Sequence, residues 1–154
     1  MTTGAAARRH LPALALAGLL GAAGVLHLRR PAVFEPLIPA ALGPARPWVL
    51  GSGVAELACA ALLVPPAARR LGGLASAALL VAVLPGNAKM ALDADGSGPW
   101  TRDRRVTLLR LPLQAPLVAW ALAVARHGAG TTPPSGALLP RPARRRGDVS
   151  DDRA

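Results

Sequence analysis

Six charged, imidazole or amide side chains lie within or at the edges of stretches built mainly from apolar residues: His27, Glu56, Asn87, Lys89, Arg110 and Gln114. A histidine, a carboxylate and a guanidinium can hold a proton or an anion, and the two amides can donate and accept hydrogen bonds at once. On a water-facing surface such residues would be ordinary. Set among Leu, Ala, Val and Gly they are not, because an ionisable group at membrane depth costs ~2.5 to 3.5 kcal/mol on insertion scales and needs a partner or a use.

The elements that must position them are four apolar runs, Leu11 to Leu28, Trp48 to Pro65, Leu71 to Leu92 and Val106 to Ala125, nearly all flanked by arginine. A hydrocarbon core of ~30 Å needs about 20 helical residues, and each run lies in or at the edge of the tolerated range. The spacing predicts an all-α, membrane-spanning antiparallel four-helix bundle over residues 1–127, followed by a disordered Arg/Pro-rich tail over 128–154. Ala67 to Arg70 is short enough to make the second and third spans antiparallel neighbours. Arg29 to Pro47 carries five prolines around Val33, Phe34, Leu37 and Ile38, which suits a folded-back interfacial cap. Asp93 to Arg105 holds three Asp, two Gly and one Pro, and reads as an exposed loop. The first run, though preceded by Arg8-Arg9, ends in His27-Leu28-Arg29-Arg30 with no small-residue cleavage site, so it is expected to stay as a span.

Composition agrees with that layout and narrows the function classes. The 154 residues are 52% hydrophobic and only 3% aromatic, with no Tyr. The mean hydropathy of +0.36 is high for a soluble domain. Small and aliphatic residues favour closely packed helices over the alternating strands of a barrel. The net charge of +10 comes from 18 basic residues, all Arg except Lys89. They gather beside the apolar runs and in the tail, so the expected acidic partner is the lipid bilayer and not nucleic acid. Cys59 is the only cysteine, which removes any intramolecular disulfide or CxxC pair. No nucleotide loop, metal cluster or hydrolytic triad is visible, and the chain is expected to need no cofactor, to hold no metal and to lack catalytic residues. Counting arginines on the two sides places both termini in the cytoplasm of a multi-pass cell-membrane protein.

Because the spans alternate in direction, His27, Glu56, Asn87, Arg110 and Gln114 are expected at similar depth, in the half nearest the loops 29–47 and 93–105. At ~1.5 Å per residue, Glu56 and Gln114 each lie about 12 Å into their spans. Arg110 and Gln114 share a face at i,i+4, as do Ser52 and Glu56. Pro85-Gly86 should break the third span and free backbone carbonyls where the polar side chains gather. The expected ion pair is Glu56 with Arg110, with Lys89 the weaker alternative. Two readings follow. In one the polar residues tie helices together, through interhelical hydrogen bonds worth ~0.6 to 2 kcal/mol each. In the other, His27, Glu56, Asn87, Arg110 and Gln114 line a site for a quinone headgroup, a proton or a small anion. Haem ligation fits poorly, since only His10 and His127 could share a level and both sit in polar flanks.

The series Ala23-Gly24-Val25-Leu26-His27 with Pro31 and Phe34, then Gly53-Val54-Ala55-Glu56, Pro85-Gly86-Asn87 with Met90-Ala91, and Arg110-Leu111-Pro112-Leu113-Gln114 with Trp120 resembles the DoxX family of small bacterial membrane proteins, over roughly residues 13–126. Gly86 departs mildly from that pattern, where a residue such as Ala would be expected. The resemblance implies a four-span bundle in the cytoplasmic membrane and, through the family's link to thiosulfate:quinone oxidoreductase, a non-catalytic accessory or scaffold subunit of a membrane redox system. The absence of paired cysteines speaks against stand-alone oxidoreductase activity. Association with a redox-enzyme subunit or with a second copy is the partner expectation.

Overall fold

The computed structural model describes residues 3–96 and 103–128, and every regular element among them is helical. The long elements are α1 (Thr3–Arg29), α3 (Ala45–Leu63), α4 (Arg69–Ala82), α5 (Leu84–Leu92) and α6 (Arg104–Gly128), with a one-turn helix α2 (Pro31–Phe34) after α1. The expected disordered tail and part of the expected acidic loop lie outside the described residues.

Three stretches are long and apolar enough to cross a membrane: His10–Arg29, Pro66–Leu92 and Arg104–Gly128. Only 22 to 28% of each apolar window is buried inside the protein. Leucines such as Leu11, Leu71, Leu109 and Leu113 therefore point outward, a distribution that favours lipid as the surrounding medium. α3 is 19 residues long but carries Arg46 in its first turn and Glu56 further along, and it is not one of the three.

Glycine sets the closest helix contacts. A Cβ on Gly24 would stand 2.8 Å from the carbonyl oxygen of Gly53, and one on Gly21 would touch the Ala60 Cβ at 3.8 Å. Contacts thus move down α3 as they move up α1. A Cβ on Gly73 would meet the Ala121 oxygen and the Ala125 nitrogen, each at 2.7 Å, so α4 and α6 touch backbone to backbone. Ala13, Leu16, Ala17, Leu20, Cys59, Leu63, Ala77, Ala121 and Val124 fill the core between these elements.

Proline sets the ends. Pro65 and Pro66 stop α3 and deprive its last carbonyls of following donors. Arg69 compensates: its Nε donates to the Leu63 oxygen and its Nη2 to the Val64 oxygen, both at 3.1 Å, while Nη1 meets His10 Nδ1 at 2.5 Å. One of the arginines that flank the apolar runs is thereby a buried helix cap. Pro85 lacks the N–H that would continue α4, and the helix breaks at Val83.

Candidate functional site

The break between α4 and α5 opens the first half of the polar cluster. Gln114, buried on α6, donates from Nε2 to the Leu80 oxygen at 2.5 Å and accepts at Oε1 from Asn87 Nδ2 at 3.1 Å. One glutamine thus bridges both sides of the break. The carbonyl it takes is one turn before Leu84, in the stretch that Pro85 disturbs.

The second half joins α1 to α3. His27 Nδ1 stands 3.0 Å from Glu56 Oε2 and 2.9 Å from the Ala23 oxygen, so one ring nitrogen faces two acceptors. Glu56 Oε2 is enclosed and receives no well-aligned hydrogen bond, although His27 lies within ion-pair distance. A single Nδ1 hydrogen directed to Ala23 accounts for both observations. The His27 ring stacks on Phe34, with centroids 3.9 Å apart and planes 24° off parallel.

Phe34 belongs to the cap. The segment after α1 folds back through α2 and two short 3-10 turns, burying Phe34. Lys89 Nζ holds that cap to α5 by donating to the Pro36 oxygen at 3.0 Å, and it also pairs with Asp93. Trp48 Nε1 donates to the Leu42 oxygen at 2.9 Å, fastening the cap to α3.

The structure therefore brings four of the five expected residues together as two pairs, one hydrogen-bonded and one at ion-pair distance. Asn87 and Gln114 are in direct contact, as are His27 and Glu56; Arg110 interacts electrostatically with Glu56 and His27. The close contact of Glu56 across helices is His27, a pairing the sequence reading did not draw, and Lys89 is engaged elsewhere. Phe34 over His27 was also missed as a site residue. The apolar stretch Val33, Phe34, Leu37 and Ile38 gave a clue to its burial, but stacking depends on how the proline-rich chain turns. No group of three or more His, Cys, Asp or Glu side chains able to hold a metal ion occurs among the described residues.

Fold and cluster together define an all-helical protein with membrane-length apolar helices and a polar interior near one end. Residues 16–125 match the profile of DUF8561, a domain of unknown function, and the chain belongs to that family. No curated protein and no solved structure matches it. The resemblance to DoxX is corrected by this result: the matching family is a different one. The motifs behind it are a glycine at a helix crossing, a polar residue one turn away and a proline break beside an amide. Any small helical bundle with a polar interior can use those devices, so they do not separate one family from another. The link to thiosulfate:quinone oxidoreductase rested on that resemblance and falls with it.

Proposed function

We propose that this chain is a multi-pass protein of the cell membrane whose α1, α3, α4–α5 unit and α6 cross as an antiparallel four-helix bundle with both termini cytoplasmic. It acts without catalysis, as an accessory or scaffold for another membrane protein or for a second copy of itself. The observation that carries this reading is the mutual engagement of the interior polar groups. Gln114 serves both Asn87 and Leu80, and His27 faces Glu56, so these side chains connect helices to each other. Such contacts fix helix register in an apolar medium.

Extraction in a mild detergent followed by size analysis and mass spectrometry tests the proposal. The expected result is a stable oligomer or a stoichiometric membrane-protein partner. Repeated recovery as a lone monomer would overturn it.

A second reading is favoured by the enclosed Glu56 Oε2, which lies beside His27 with Arg110 within electrostatic range. It makes His27, Glu56, Asn87, Arg110 and Gln114 a site for a quinone or small anion. Thermal denaturation with a short-chain quinone, and separately with a small inorganic anion such as sulfate, distinguishes the two. A ligand-dependent rise in Tm that disappears in Glu56→Gln supports a site, and no shift with either compound supports the structural reading.

A further inference from the structure

At the end of the molecule opposite the polar cluster, α4 and α6 flank a surface groove of about 400 Å³ lined by Arg70, Leu74, Leu122, Ala125 and Arg126. We propose that this groove binds one anionic phospholipid, with the two arginines on its phosphate and an acyl chain along Leu74 and Leu122.

The order of the lining residues matches the order of groups in such a lipid. Arg70 and Arg126 stand near the paired ends of the two helices, since a Cβ on Gly128 would lie 2.9 Å from the Arg70 backbone nitrogen. Leu74 and Leu122 each lie one turn further in, about 6 Å at ~1.5 Å per residue. The floor is kept low by the backbone contact of Gly73 with Ala121 and Ala125, and Ala125 is itself buried in that floor. A charged mouth thus opens onto an apolar trough, as a headgroup followed by a chain requires.

Charge favours an anionic lipid over a zwitterionic one. The described carboxylates belong to Glu35, Glu56, Asp93, Asp95 and Asp103, on α3 or in the connections of the opposite end, and none lines this groove. Arg69, the neighbour of Arg70, is turned inward onto the end of α3, which separates a structural arginine from an outward-facing one. Arg126 spends its Nε on the Leu122 oxygen at 3.3 Å, which orients the guanidinium beside the groove. Guanidinium groups suit phosphate oxygens because their N–H donors form a planar fork. Basic pockets between helices at a membrane surface are a recognised setting for anionic headgroups.

The test is native mass spectrometry of the full chain in detergent, titrated with phosphatidylglycerol or with phosphatidylcholine of identical acyl chains. One phosphatidylglycerol should be retained in preference to phosphatidylcholine. Arg70→Ala/Arg126→Ala should weaken that retention about thirtyfold, from roughly fivefold per arginine at ~1 kcal/mol each. Arg29→Ala/Arg30→Ala, at the opposite end, should leave it unchanged. Inorganic phosphate at millimolar concentration should not displace the lipid, because it cannot occupy the trough; displacement would assign the site to a free anion and overturn the lipid. Leu74→Trp provides a variant that keeps both charges and fills the trough, and it should lose the lipid while retaining the wild-type melting temperature to within a few degrees. Equal retention of the two lipids, or wild-type retention by the double arginine variant, would overturn the proposal. It rests on membrane insertion but not on the accessory role: a chain that stays in solution without detergent would fail the first, whereas an inserted chain without lipid preference fails only here.

Discussion

Glu56 is the residue on which the interior is most demanding. Its carboxylate is buried on α3 with His27 against it from α1, and Arg110 on α6 lies within range of its charge. Removing one member of a buried charged pair typically costs ~3 to 5 kcal/mol, whereas replacing both by apolar residues of similar size can be nearly neutral. Glu56→Leu should therefore lower thermal stability in detergent strongly, and His27→Leu should do so less, because the Arg110 charge remains within range of the carboxylate. The double variant His27→Leu/Glu56→Leu should lose less than the sum of the two. Strict additivity across that cycle would show that the 3.0 Å contact carries no coupling.

Among the elements, α4 and α6 touch backbone to backbone, and Gly73 makes that approach possible. A methyl group there would meet backbone atoms of Ala121 and Ala125 that cannot move independently of their helix. Overpacking of this kind costs typically ~1 to 3 kcal/mol. Gly18, in α1, has open space where its Cβ would be, and alanine favours a helix interior over glycine by about 1 kcal/mol. Gly73→Ala should thus lower the melting temperature while Gly18→Ala leaves it unchanged or raises it. Equal effects at the two positions would mean that helix propensity, and not helix approach, governs them.

For the whole molecule the testable quantity is orientation. In the proposed topology Arg8, Arg9, Arg69, Arg70, Arg126 and the tail arginines share one side and outweigh the other. A reporter fused after residue 154 should be active only on the cytoplasmic side, and one inserted within 93–105 only outside. An externally active C-terminal reporter would reverse the assignment. Arg69 contributes to this bias and at the same time caps α3, so Arg69→Ala would mix a topology effect with a folding defect. Arg70→Ala is the cleaner probe.

The chain's helical class, three of its four expected apolar runs as membrane-length stretches and the break before Pro85 were legible because each depends on local properties: hydropathy over a window, the missing proline N–H, and arginines beside apolar stretches. The common depth of Asn87 and Gln114 was also legible, since alternating helices of known rise fix height. Rotation about each helix axis is not set by local sequence, and most of the differences in side-chain pairing follow from it. Rotation decides that Glu56 meets His27 at close range, that Arg69 turns inward while Arg70 turns outward, and that Gln114 reaches the Leu80 carbonyl. Stacking of Phe34 on His27 further requires the path of a proline-rich segment, in which several turns are compatible with the same residues. Such choices are made by close packing of glycine-rich helix faces, where one backbone contact determines which side chains share an interior, and only the tertiary structure contains that information.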